Sequence, residues 1–203
     1  MPHPNPPRTG PDAIWAPWRL DYLERLGDAE RSESAAAPGT ASSSNPTRRG
    51  DLCFLRAAWL EPGGDIANHV VVRSPHGLIL LNKFPYANGH LLVALGEGRP
   101  RLLDYDPPQR RHFWTLLDAA VDIVETALQP QGVNAGINQG RAAGAGVPDH
   151  LHAHVVPRWA GDVNFISVVG QIRVVPASLE AMGERLRAVW GRIGERWGAL
   201  LED

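Results

Sequence analysis

The sequence is short of cysteine, of aromatic side chains, of long apolar runs and of net charge, and each shortage removes a class of protein. Cys53 is the single cysteine in 203 residues, so no intramolecular disulfide can form, and a lone cysteine suits a reducing compartment. No stretch reaches the roughly 18 apolar residues of a membrane span. The opening "MPHPNPPRTGPDAIW" lacks the apolar region of a secretory signal. The expectation is a cytoplasmic protein. Lys and Arg number 20 against 22 Asp and Glu, a formal charge of −2. That balance provides no cationic field, so neither nucleic acid nor a membrane surface is expected as a partner.

What is present is apolar material for a core, 43% of the residues. The length suits one domain with tails. Residues 1–12 are rich in proline and polar groups, and "AIWAPWRLDYL" (13–23) reads as a short segment docking on the core. The stretch 27–50 is dominated by Ala, Ser, Gly and Pro and cannot offset its ordering entropy, so it reads as a flexible insert. From residue 52 the pattern is globular. "HVVVR" (69–73), "GLILLNK" (77–83), "HLLVAL" (90–95), "VNAGINQ" (133–139) and "HLHAHVVP" (150–157) read as strands separated by turn signals. Residues 107–128 place Phe113, Leu117, Ala120, Val124 and Ala127 at helical spacing, with Asp106 as N-cap and Pro107 first in the helix. His112 on this helix is assigned to the surface, as are His69 and His76. A last helix over about 178–201 puts Leu179, Met182, Leu186, Val189, Ile193, Trp197 and Leu200 on one face. The elements add up to an α+β domain, an antiparallel sheet with helices on one side.

The most informative stretch is "DHLHAHVVPRW" (149–159). On a strand, His150, His152 and His154 project from one face roughly 6.5–7 Å apart, while Leu151, Ala153 and Val155 project from the other. Three readings compete. The row can be a chance cluster on a wet face, although burying three polar rings without partners is costly. It can ligate metal, since His-x-His supplies two zinc ligands, with Asp149 and Asp162 as further donors; three positions in a row nevertheless fail to converge tetrahedrally. Or it can do nucleophilic chemistry on phosphorus, because neutral imidazole is a good nucleophile near pH 7. The glycine-rich "NQGRAAGAGVPDH" (138–150) runs straight into the row and lets backbone N–H groups approach an anion. Loop and row together favour phosphate chemistry.

These residues resemble the histidine-triad (HIT) superfamily, whose signature His-φ-His-φ-His-φ-φ stands here as His150-Leu-His152-Ala-His154-Val-Val. A second block, "LNKFPYANGHLLVA" (81–94), is similar to the family's Asn, Pro-Tyr and Gly-His-Leu. "IWAPWRLDYL" and "PRWAGDVNF" resemble the bacterial branch of diadenosine tetraphosphate phosphorylases and related dinucleoside polyphosphate hydrolases. The likeness covers about 13–26 and 52–175. It implies a HIT-like fold with residues 1–51 as docking segment and insert, 52–175 as HIT domain and 176–203 as C-terminal helix. It also implies a homodimer, pairing through the 107–128 helix and its adjacent strand.

By the same resemblance, His152 is the nucleophile that attacks the α-phosphorus to form a nucleotidyl-histidine. His154 binds phosphate and assists the leaving oxygen, while His150 and His90 orient His152 and fix its tautomer. Asn82 holds the ribose hydroxyls, and Asn138 contacts phosphate beside the Gly144 and Gly146 backbone. No tightly bound cofactor is implied, and Mg2+ is expected only with a polyphosphate substrate. Many members hold a structural zinc through Cys-x-x-Cys. Here Arg56 stands where the second cysteine of the pair would follow Cys53, and the histidine that follows the Gly-His strand is replaced in "ALGEGRP", so no metal site is expected. Gly146 replaces a common Ser or Gln, which leaves the acceptor, water or phosphate, open.

The leading expectation is therefore an enzyme that cleaves dinucleoside polyphosphates, phosphorolysing diadenosine tetraphosphate to ADP and ATP. Hydrolysis of such compounds or of nucleoside phosphoramidates to AMP is the first alternative. A non-catalytic nucleotide-binding module is the second, and a metal-dependent histidine enzyme the third.

Replacing residues 27–50 with a short Gly-Ser link should leave folding and turnover nearly intact. Urea unfolding checks this. A loss above about 2 kcal/mol, the scale of a damaging core substitution, would show that the segment packs.

Overall fold

The structure, a computed structural model, describes residues 52–162 and 177–202. All of them fall within the unit spanning residues 48–203. The segments read as docking (13–23) and as flexible insert (27–50), and the tail from residue 163 to 176, lie outside the described residues.

Alternation of side chains across β-strands organises the domain. The strands β1 (Val70–Arg73), β2 (Gly77–Leu81), β3 (Leu91–Leu95), β4 (Gly132–Ile137) and β5 (His152–Arg158) form one sheet in the order β1-β2-β3-β5-β4. Every neighbouring pair is antiparallel. The inner strands read "GLILL" and "LLVAL", with every residue buried. Such runs, apolar on both alternating sets, belong to a sheet covered on both faces.

One cover is α2 (Pro107–Leu128) with α3 (Leu179–Ile193) and α4 (Glu195–Glu202). Leu91, Val93, Leu95, Leu151, Ala153 and Val155 pack there against Phe113, Leu116, Ile123, Met182 and Leu186. The other cover is α1 (Phe54–Leu60), which the apolar periodicity did not announce. Its Leu55 and Ala58 pack on Val70, Leu78, Leu80, Leu92 and Ala94. The helices thus sit mainly on one side, with α1 as the exception. No helix among the described residues is long and apolar enough to cross a membrane.

The caps follow the local chemistry. Asp106 accepts from Gln109 N at 2.8 Å, and Gln109 Oε1 accepts from Asp106 N at 3.0 Å, so Pro107 opens α2 inside a reciprocal cap. Ser178 accepts from Ala181 N at 3.2 Å and starts α3. The single C-terminal helix expected over 178–201 is instead two, interrupted at Gly194. The interruption shifts the helical phase. Leu200 is consequently 57% exposed, and Leu201 takes its place in the core at 4%.

His112 also departs from expectation. It is 5% exposed, with Nε2 2.9 Å from Ser74 Oγ and its ring edge-on to His76 at 4.5 Å. The apolar face of α2 is wider than its sequence stripe suggests because both the sheet and the C-terminal helices cover it. A polar residue at that margin is buried once Ser74, 38 positions away, supplies a partner.

Burial, and secondarily the charge of His76, pushes the His112 pKa down to about 4. The unfolded chain, with the ordinary value near 6.5, then takes up a proton first as pH falls. The ring's contribution to stability is fully present above about pH 6.5 and is lost on the way down to about pH 4. The urea midpoint of the wild type should therefore fall more steeply between pH 7 and pH 4.5 than that of His112→Gln. Equal slopes would mean that His112 titrates alike in both states.

Candidate active site

The site forms on the α1 side of the sheet. Register sets His152 opposite Ala94 and His154 opposite Leu92 of β3, while His154 faces Gly136 of β4 on its other flank. β5 begins at His152, so His150 precedes the strand. Its N–H bonds Val147 O at 3.2 Å, and the following Leu151 N bonds Arg99 O at 2.8 Å. His150 and His152 are buried at 1% and 4%, whereas His154 is half-buried.

Hydrogen bonds assign the protons. His152 Nδ1 lies 2.9 Å from His150 O, and a carbonyl only accepts, so His152 carries its proton on Nδ1. In the neutral ring this leaves the lone pair on Nε2. His150 Nε2 likewise donates to Leu95 O at 2.8 Å, with its Nδ1 facing Cys53 Sγ at 3.0 Å. Burial first, and then the charges of His152 and Arg56, hold the His150 pKa below its ordinary value despite the opposing Leu95 bond.

His154 is set from a different strand. His90, fully buried, receives the Tyr86 N–H on its Nδ1 at 3.1 Å. The Asn82 amide lies beside it, Nδ2 at 3.3 Å, oriented by the Phe84 N–H that Asn82 Oδ1 accepts at 2.9 Å. With Nδ1 accepting, the proton of neutral His90 is on Nε2, directed at His154 Nδ1 at 3.0 Å. Neutral His154 accordingly bears its proton on Nε2. Burial, and then the charge of His152, push its pKa down to about 4, so the ring is neutral at pH 7. The Tyr86 ring lies nearly parallel to it, 5.9 Å away and inclined by 21°. His90 thus meets His154, while the contact that orients His152 is the backbone of His150. Gly89, before His90, has φ +83, a conformation that favours glycine, and a Cβ there would push aside the Leu128 Cδ1 tip.

Around the rings lies a hollow of about 320 Å3, lined by Phe54, Asn82, Tyr86, Gly144, Gly146, His152 and His154 among others. A second hollow of the same size shares Phe54, Asn82 and Phe84 and continues over Ala58, Leu80, Leu81 and Lys83. Gly144, at φ +88, turns the loop that carries it into the hollow. Asn138 stands outside the hollow's lining, with Nδ2 3.9 Å from the Cβ position of Gly144. The expected residues therefore assemble, except that His150 lies behind the hollow and Asn138 beside its loop. Phe54 and the Tyr86 ring are additions. Tyr86 was visible in the Pro-Tyr pair, but nothing local showed that its ring covers His154.

No three His, Cys, Asp or Glu side chains converge as metal donors among the described residues. Asp162, a candidate donor, is paired with Arg158 at 2.5 Å. The arrangement offers one imidazole with a free lone pair and a neighbour with a free N–H, which is suited to attack on an electrophile and support of a departing oxygen.

Known proteins resemble this chain in sequence and in fold. The family model of the HIT domain matches residues 64–161. The chain is 30% identical over 179 residues to the AP-4-A phosphorylase of Mycobacterium tuberculosis, covering 88% of this chain and 84% of that protein. It is 30% identical over 97 residues to the asymmetrical bis(5'-nucleosyl)-tetraphosphatase of Schizosaccharomyces pombe, covering 48% of this chain and 53% of that protein. Among solved structures, a zinc-bound histidine triad family protein from Mycobacterium smegmatis matches with a TM-score of 0.54 at 26% identity, covering 73% of this chain and 99% of that one.

The Asn82 contacts change what its removal should do. A residue that only binds ribose would raise KM when truncated and leave kcat alone. Asn82→Ala also frees the Phe84 N–H and one donor to His90, so kcat should fall together with the rise in KM, by roughly tenfold or more. Steady-state kinetics separate the two, and an unchanged kcat would confine Asn82 to substrate binding.

Proposed function

The chain belongs to the HIT family, and from that premise we propose that it cleaves dinucleoside polyphosphates by nucleotidyl transfer through His152, with inorganic phosphate as acceptor. The observation that carries the reading is the bond from His152 Nδ1 to His150 O, which leaves the Nε2 lone pair of a ring lining the hollow. The likeness to the Mycobacterium tuberculosis AP-4-A phosphorylase over most of both chains favours phosphorolysis.

The mostly apolar second hollow suits a base and ribose, with Asn82 at the junction of the two hollows. The α-phosphate then lies before His152, beside the loop through Gly144 and Gly146. His152 Nε2 attacks the α-phosphorus, the bond to the bridging oxygen breaks, and the leaving nucleoside polyphosphate keeps that electron pair. His154 Nε2–H hydrogen-bonds the developing oxyanion. Because its pKa is near 4, His154 works as a neutral donor at pH 7 rather than as a standing imidazolium. A phosphate oxygen next attacks the nucleotidyl-histidine, releases His152 and forms a nucleoside diphosphate. For diadenosine tetraphosphate the products are ATP and ADP. Mg2+ enters with the polyphosphate as its counter-ion.

A homodimer accompanies this reading. β4 is one of the two edge strands, its residues mostly exposed, and the neighbouring α2 leaves Trp114 40% exposed. Unpaired edges of this kind invite pairing with a second strand.

Incubation with diadenosine tetraphosphate should yield ADP plus ATP only when phosphate is present. His152→Ala should lower turnover about 10⁴-fold or more while still binding nucleotide. His154→Ala should lose about 10²–10⁴ with poor leaving groups and less with good ones. Wild type quenched at neutral or alkaline pH should carry a nucleotidyl group on His152. AMP as product without phosphate would make the enzyme a hydrolase, and substantial turnover by His152→Ala would refute the nucleotidyl-histidine.

A further inference from the structure

Behind the hollow, α1, the end of β3 and the approach to β5 meet at one corner. The Cys53 thiol faces His150 Nδ1 at 3.0 Å, and His150 Nε2 donates to Leu95 O at 2.8 Å. Since Nε2 holds the proton, Nδ1 accepts from the thiol. Arg56 Nη1 donates to Gly96 O at 2.5 Å, one residue beyond the carbonyl that holds His150. The ring is also walled in, because a Cβ at Gly98 would lie 2.8 Å from His150 Nδ1.

A Mycobacterium smegmatis relative is zinc-bound. This corner does not suit zinc. It offers two donors of the right kind, Cys53 and His150, where a structural zinc site takes four ligands. Its third side chain is a guanidinium whose charge already acts on His150.

We propose that Cys53, Arg56 and His150 form a metal-independent brace that fixes the carbonyl of His150 and so the tautomer and aim of His152, with Arg56 and Cys53 as positioning residues. The ring of His150 is held at both nitrogens, and its backbone at Val147 O and, one residue on, at Arg99 O. Its carbonyl therefore has one direction. Arg56 completes the corner by tying α1, which presents Cys53, to the strand end that holds the other side of the ring. Only the kinetic arm of the test depends on His152 being a nucleophile.

The full chain should purify with less than about 0.1 zinc, against the one ion per site of a structural zinc protein, and its Tm should not respond to EDTA. Zinc near one per chain with a Tm lowered by EDTA overturns the proposal. In 15N-histidine NMR, wild-type His152 should show the Nδ1–H tautomer alone. Arg56→Met should show a mixture, with kcat down roughly tenfold or more and KM nearly unchanged, and Arg56→Lys should recover part of the loss. A folded Arg56→Met with a single Nδ1–H tautomer and wild-type kcat also overturns it. If Arg56→Met does not fold, Cys53→Ser, which keeps a donor, should retain the tautomer that Cys53→Ala loses; identical spectra for the two would remove Cys53 from the brace and overturn it. Metal analysis and NMR need no turnover, so a chain that fails to cleave dinucleotides would refute the functional reading and leave this one standing.

Discussion

A backbone carbonyl accepts a hydrogen bond and never donates one, and the site is organised by that restriction. Because His150 O faces His152 Nδ1, the adjacent ring keeps its proton there and its lone pair on Nε2. Imidazole is otherwise free to choose between two tautomers of similar energy, and the wrong choice would present an N–H to an electrophile. Two residues' separation along the chain suffices to make the contact. The His-x-His spacing thus carries an electronic instruction as well as a geometric one.

The partner ring receives the opposite instruction from farther away. Tyr86 N–H and the Asn82 amide make His90 an acceptor at Nδ1 and a donor at Nε2, and His154 is left with its N–H outward. Two neighbouring imidazoles, 5.0 Å apart between centroids, therefore present complementary faces, a lone pair and a donor. Neutrality makes this arrangement stable. Burial, and then the charge of His152, push the His154 pKa down to about 4 and keep that ring neutral.

The same sheet explains where the site lies. α2, α3 and α4 cover one face and bury Leu151, Ala153 and Val155. On the other face α1 covers Leu78, Leu80 and Ala94 and stops short of His154, so the rings border the end of that cover. α1 was the least legible element. Its seven residues give too few turns for a periodic pattern, and its Phe54 and Leu60 are about half exposed. His112 and Leu200 were misplaced for a related reason. Periodicity assumes one cover and an unbroken helix, whereas α2 has two covers and the C-terminal helix changes phase at Gly194.

What the sequence by itself determined was what short-range geometry controls. Short apolar runs between turn signals placed five strands, the Asp106–Pro107 start placed α2, and alternation put His152 and His154 on one face. The family signature lies in a single strand and its loop, so the family too was legible. What only the tertiary structure decided was which donors and acceptors meet. Cys53 reaches His150 across 97 positions and His90 reaches His154 across 64, and no local pattern encodes either contact. A tautomer depends on the one atom that faces each ring nitrogen, and that atom is chosen by how the strands and helices pack.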